Sequence, residues 1–266
     1  MPNAIWQQSQ RIAMIKYGLK LWTSNERHIF EEAAVLCHQG KTDFIEVYNN
    51  PAAPIDYQKL SLIQGLPVNI HNPNTHGWHE FVVNEALLQI WQETLKLADF
   101  FNSRHIVTHP GRIHTFSSFL ENLKKIDDPR ILIENMPGVD IRGQPYLCQA
   151  RTVEDLKRIK EIKDICLDLE KAVKSAKQQE IDYKDFIAAC LKELKPFYFH
   201  ISGGNKDSPV DEHKDLWDAN FNIAWLKRVL NKEAKNRDVY LVFEVPKNDS
   251  DLENDLKNIN FFKQSK

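Results

Sequence analysis

Short apolar runs recur down this chain, each followed by a longer amphipathic stretch, and this alternation constrains the fold more than any single motif. The runs are Tyr17–Trp22, Phe44–Tyr48, Pro67–His71, His105–Thr108, Arg130–Ile133, Ile165–Leu167, Phe197–His200 and Val239–Phe243, and each reads as a strand. Parallel strands need crossovers of about a dozen residues or more, usually helical, and eight strand-then-helix units can close on themselves. The expectation is an α/β chain, a single (β/α)8 TIM barrel domain over residues 1–266. An open doubly wound sheet is the alternative. Neither G-x-G-x-x-G nor G-x-x-x-x-G-K-[ST] follows the first strand, which removes the usual nucleotide-binding marks of that alternative.

Local signals fill in the helices. Thr23 and Ser24 read as caps for a helix over Asn25–His38 that stops at Gly40. Leu87, Leu88, Trp91, Leu95 and Ala98 recur at helical spacing, as do Phe186, Ile187, Cys190, Leu191 and Leu194; both stripes are read as core. The apolar share of 42% is enough for a sizeable core. With 35 Lys+Arg against 37 Asp+Glu there is no global basic field of the nucleic-acid-binding kind, although a local patch can still hold phosphates. Cys37, Cys148, Cys166 and Cys190 form no C-x-x-C, so neither a disulfide framework nor a cysteine zinc site is indicated, and a reducing, cytoplasmic setting is expected. The N-terminus has no signal-peptide pattern and no stretch reaches the ~18 apolar residues of a membrane span, so a soluble protein without a membrane partner is expected.

The chemistry lies at the strand ends. From the third strand to the eighth, each run ends in a residue able to bind a metal: His71, His109, Glu134, Asp168, His200 and Glu244. A barrel gathers its C-terminal strand ends at one mouth, where active sites sit. Asp211 and His213 follow His200 as a D-x-H pair, beyond a strand break at Gly203 and Gly204. Any one of these residues can be a helix cap or a satisfied histidine. Six at equivalent positions point instead to imidazole and carboxylate ligands converging on zinc or a related divalent ion.

The segments H-P-G at His109, E-N-x-x-G at Glu134, C-L-D at Asp168, H-I-S with V-D-E-H over His200 to His213, and E-V-P at Glu244 resemble those of endonuclease IV (AP endonuclease family 2) and the wider xylose-isomerase-like barrel superfamily. The resemblance spans strands three to eight and rests on order and spacing. It implies a divalent-metal cofactor, zinc first, with one to three ions and with manganese or magnesium as alternatives. Glu134 would bridge two ions, Asp168, His200 and Glu244 would complete one, His71 and His109 would hold another, and Asp211 with His213 a third. The implied activity is hydrolysis of a phosphate ester, at abasic sites of DNA in endonuclease IV itself, with Glu134 and Glu244 as catalytic carboxylates. Arg112, Lys171 and Lys206 are then candidate phosphate partners, and the aromatic Trp78, with Trp22, a stacking or wedging group.

One position departs from the pattern. The family commonly has D-x-x-H after the sixth strand, and D-L-E-K here puts Lys171 where the histidine would be. A protonated lysine cannot ligate, so the third ion would lack a ligand. Lys171 then pairs with a carboxylate or a substrate phosphate, or is simply solvated. The alternative function is a metal-dependent sugar or sugar-phosphate isomerase or epimerase, with one ion on Glu134, Asp168, His200 and Glu244 and proton transfer by the two glutamates. A non-catalytic metal-retaining barrel is the third reading. The expected partner is a phosphorylated or sugar substrate, DNA included.

Overall fold

In the computed structural model, residues 13–73, 85–111, 115–145, 150–247 and 250–266 are described. Eight strands lie parallel in sequence order: β1 (Ile15–Trp22), β2 (Phe44–Tyr48), β3 (Val68–His71), β4 (Ile106–Thr108), β5 (Ile131–Glu134), β6 (Asp164–Asp168), β7 (Tyr198–Ile201) and β8 (Val239–Phe243). β1 pairs with both β2 and β8, so the sheet closes into a barrel and the open-sheet alternative falls away. The architecture is a single-domain (β/α)8 TIM barrel. Each strand falls on one of the apolar runs, with ends displaced by about two residues at most.

Helices α1 (Arg27–His38), α2 (Tyr57–Leu60), α3 (Glu85–Phe100), α4 (Phe116–Lys124), α5 (Val153–Lys160), α6 (Leu169–Gln178), α7 (Tyr183–Leu194), α8 (Ile223–Glu233) and α9 (Glu253–Gln264) supply the crossovers. The β6–β7 crossover carries two of them, α6 and α7. The α7 stripe of Phe186, Ile187, Cys190, Leu191 and Leu194 is buried as expected. On α3 the buried face runs through Thr94, Leu97 and Ala98, with Trp91 and Leu95 half-buried, while Leu88 is exposed; the side chain of Leu87 lies outside the described residues. Thr23 and Ser24 do not cap α1, whose N-cap position is Glu26. Their hydroxyls instead accept from Asn50, by its backbone N–H at Thr23 Oγ1 (2.9 Å) and its side-chain amide at Ser24 Oγ (2.9 Å), tying the loop after β1 to the loop after β2.

Strand alternation sorts side chains into two populations. Outward residues such as Leu19, Leu21, Ile45, Val47, Ile133, Leu167, Phe199 and Leu241 join the helices in one large apolar shell. Inward residues near the N-terminal end form a separate apolar plug of Phe44, Val107, Leu132, Cys166, Tyr198 and Val242. Gly18 makes room for that plug, because a Cβ there would lie 2.4 Å from the Phe44 ring. One step further along the strands the inward residues become charged.

Candidate functional site

The register that fills the plug also places the charged layer above it. Lys20 on β1 stands opposite Glu46 on β2, and Glu46 opposite Asn69 on β3. Above them His71, Glu134 and Asp168 end their strands, His200 is the last but one residue of β7, and His109 and Glu244 follow β4 and β8 at once. The mouth is shaped by loops. Asn135 clamps the ends of β5 and β6, its amide donating to the Asp168 carbonyl (3.0 Å) and its Oδ1 accepting from Asp168 N–H (2.6 Å). Gly203 and Lys214 exchange two backbone hydrogen bonds (2.7 and 2.9 Å), folding the loop after β7 back so that Asp211 and His213 face the mouth. A Cβ on Gly203 would sit 1.9 Å from the Asp215 carbonyl oxygen, so this closure requires glycine. His213 itself adopts φ +48°, the left-handed region.

All eight candidate ligands therefore converge on one end of the barrel, where His71, His109, Asp211, His213 and Glu244 line a cavity of about 620 Å³ and Glu134, Asp168 and His200 are fully buried outside its lining. Among the described residues, three donor sets have ligand atoms within 4.8 Å of one another: His71, His109 and Glu134; Glu134, Asp168, His200 and Glu244; and Glu46, His71, His200 and Glu244.

Two members of this layer, Lys20 and Glu46, escape a reading confined to strand ends. Lys20 Nζ lies 2.8 Å from Glu46 Oε1 and pairs with Glu244 Oε1. Glu46 Oε2 accepts from the Tyr198 hydroxyl (2.7 Å) and faces His200 Nε2 (3.0 Å). The signal was a lysine in KYGLKLW and a glutamate in FIEVY, each between apolar neighbours, and in a barrel strand that alternation turns the odd polar residue inward.

Lys171 is not solvated: it is 2% exposed. Asp168 caps α6, accepting from the Lys171 backbone N–H at 2.9 Å, and so fixes the turn that delivers the ammonium inward. Lys171 Nζ reaches Glu134 Oε1 at 2.5 Å, Asp168 Oδ2 at 3.3 Å and Glu244 Oε2 at 3.5 Å. Burial would raise the Glu134 and Glu244 carboxyls, but Lys171 beside the first and Lys20 beside the second hold both well below the usual range. Burial also raises Asp168, and Lys171 only partly offsets it, leaving that carboxyl at about 6.

The histidines divide into two classes. His71 Nδ1 donates to the Asn72 carbonyl (2.7 Å), which leaves the Nε2 lone pair 3.2 Å from Glu134 Oε2. His109 Nε2 is 2.9 Å from the same oxygen, yet neither of its ring nitrogens has a hydrogen-bond partner among the described residues. Burial lowers both imidazoles, His109 to about 4, so both are neutral near pH 7. His200 is the opposite case. Burial would lower it, but Cys166 first and then Glu46, Glu244 and Glu134 raise it well above the ordinary value. Its Nδ1 is 3.2 Å from both Glu134 Oε1 and Glu244 Oε1. His213 is likewise raised, to about 10, as Asp211 Oδ1 at 3.1 Å from Nε2 overrides burial, and its Nδ1 donates to the Glu244 carbonyl (3.1 Å).

These contacts test the donor sets against a divalent ion. His71, His109 and Glu134 fit: two neutral imidazoles and one carboxylate oxygen converge, with buried ring nitrogens otherwise unused. Glu134, Asp168, His200 and Glu244 do not fit in this arrangement, because the ammonium of Lys171 stands against all three carboxylates. Asp211 and His213 are engaged with each other. Among the other candidates, Lys206 is half-buried and paired with Asp207 (3.2 Å), outside the cavity wall, whereas Trp22 lines the cavity with Lys247 above its ring. Trp78 and Arg112 lie outside the described residues.

No protein-family model and no curated protein matches the chain. Among solved structures it is similar to endonuclease IV from Thermus thermophilus, at 17% identity and TM-score 0.64 over 93% of this chain and 97% of that one. It is similar also to a 3-keto-D-glucoside 4-epimerase from E. coli, at 13% identity and TM-score 0.61 over 94% and 99%. A xylose isomerase domain containing protein from Salmonella typhimurium matches at 16% identity and TM-score 0.62 over 92% and 97%. The fold is that of the xylose-isomerase-like barrels. At these identities the likeness is one of fold, and the chemistry must be read from the side chains. Among the described residues, no helix is long and apolar enough to cross a membrane.

Proposed function

We propose that this barrel is a divalent-metal-dependent hydrolase of phosphate esters, with the ion held by His71, His109 and Glu134. The observation that carries the reading is the pair of neutral, buried imidazoles aimed at one oxygen of Glu134, 3.2 and 2.9 Å away. A zinc or similar ion there would supply an activated water and Lewis-acid neutralisation of phosphate charge. Glu134 Oε2 would orient the attacking water, while its other oxygen is held by Lys171 at 2.5 Å. Lys171 and His213, both cavity-lining and cationic, are placed to offset charge building on the phosphoryl oxygens, and Trp22 offers a flat apolar wall to a base or sugar.

A cavity of about 620 Å³ suits a sugar phosphate or a single nucleotide turned out of a duplex. The isomerase alternative draws its ion from Glu134, Asp168, His200 and Glu244, the set that Lys171 already fills, and is the weaker reading for that reason. The test is hydrolysis of an aryl phosphate diester and of an abasic-site duplex, before and after chelation and on zinc return, beside ketose isomerisation under the same conditions. Zinc-restored hydrolysis is the expected result. Isomerisation without hydrolysis would sink the proposal.

A further inference from the structure

Four carboxylates, Glu46, Glu134, Asp168 and Glu244, are buried around one imidazole, a density that needs cations close by. Two of those cations belong to the chain. Lys171 Nζ contacts three of the four ligands in the set Glu134, Asp168, His200 and Glu244, and the fourth, His200, shares Glu134 Oε1 with it. Lys20 Nζ covers the other side, on Glu46 and Glu244. The placement of Lys171 is costly on its own terms, since it is a buried cation in the first turn of a helix, where the backbone dipole is positive. Only the carboxylates it faces can offset that cost.

We propose that the ammonium groups of Lys171 and Lys20 take the place of a metal ion in this barrel, occupying the position that Glu134, Asp168, His200 and Glu244 would otherwise offer to a divalent cation. Together they carry the same charge, +2, as the ion they replace. Such a cation is present at every metal concentration and survives chelation. It donates hydrogen bonds and neutralises charge, but it cannot activate a water, which confines that task to the His71, His109 and Glu134 side. The inference deepens the function proposed above, and it can fail separately from it.

The experiment counts ions per chain by mass spectrometry after loading with cobalt, in the wild type, Lys171→Arg, Lys171→Met and Lys20→Met/Lys171→Met, with cobalt absorption reporting coordination. The double variant should hold one ion more than the wild type, with new absorption bands, and Lys171→Arg should hold the wild-type number. A folded double variant with no additional ion overturns the inference. Its apo form has buried carboxylates without their cations, so melting is measured with and without cobalt, and a rise larger than in the wild type supports the inference. If that variant does not fold even with cobalt, titration of the wild type to millimolar cobalt decides. Saturation without binding at this set supports the inference, and a cobalt site there in the presence of both lysines overturns it. The wild-type count tests the function separately: one ion that His109→Ala removes upholds His71, His109 and Glu134 as the site, and none sinks that reading while the increment still decides the role of the lysines.

Discussion

The two ends of the barrel each hold a cavity of similar size, about 620 Å³ at the C-terminal mouth and about 660 Å³ at the N-terminal end. Size therefore does not distinguish them; lining does. The N-terminal cavity is walled by Phe44, Val68, Phe100, Phe101 and Tyr240, with Lys16, Asp43, Asn69, Arg104 and His105 among them, over the apolar plug and without converging metal-ligand sets among the described residues. The mouth is walled by His71, His109, Lys171, Asp211, His213 and Glu244. The same strands supply both, so a shift of two residues along a strand separates packing from chemistry. At one end burial is the source of stability. At the other it is a cost that paired charges must offset.

The largest effect expected from breaking this contrast is at the charged end. Glu134→Gln removes the carboxylate common to the set with His71 and His109 and the set with Asp168, His200 and Glu244, and hydrolytic activity should fall on the order of 10³-fold with loss of bound metal. The fold should survive, because Lys171 keeps Asp168 and Glu244 as partners. Unchanged activity and metal content would remove Glu134 from the site.

At the other end the effect should be on stability alone. Phe44 is fully buried in the plug, its ring 6.0 Å from that of Tyr198 and 5.3 Å from that of Tyr240. Phe44→Ala should cost about 3–5 kcal/mol in a denaturant melt and leave the metal count unchanged. A lost ion would show that the plug positions the ligands and that the two ends are not separable.

How much of this contrast was legible in the sequence follows from the same periodicity. The outer shell and the strand-end ligands stood out because they repeat, as apolar runs or as His, Asp and Glu at run ends. Lys20 and Glu46 did not, because a single polar residue within an apolar run looks like a defect until closure of the barrel fixes which face is inside. Lys171 stood out as a departure from a pattern, but its burial depends on its ammonium meeting Glu134 and Glu244 from other strands, and those contacts are tertiary. The protonation split between His71 and His200 was also invisible, since it depends on how many carboxylates surround each ring.

A third prediction uses pH and keeps to the N-terminal end. His105 sits among Phe197, Tyr198 and Tyr240, with ring centroids 5.1, 5.6 and 5.2 Å away. Burial first, then Arg104, lowers its pKa to about 4, against the ordinary value of 6.5. The folded chain thus disfavours a proton that the unfolded chain takes up readily. This stability is fully present above pH 6.5 and is lost as pH falls from there toward 4, by about 1–2 kcal/mol between pH 7 and 5. The difference between the stability curves of wild type and His105→Gln should carry that slope. Parallel curves would place the His105 imidazole in water.

The smallest effect is expected at the boundary itself. Tyr198 belongs to the plug by its ring and to the charged layer by its hydroxyl, which donates to Glu46 Oε2 at 2.7 Å and accepts weakly from the Asn69 amide at 3.4 Å. Tyr198→Phe keeps the packing and removes one donor from a carboxylate that still has Lys20 and His200. The expected cost is about 1 kcal/mol, with metal content unchanged and activity within a few-fold of wild type. A much larger loss, or a lost ion, would mean that Glu46 depends on Tyr198 to hold His200 in place. The charged layer would then be anchored from below, through the plug, as well as from its own cations.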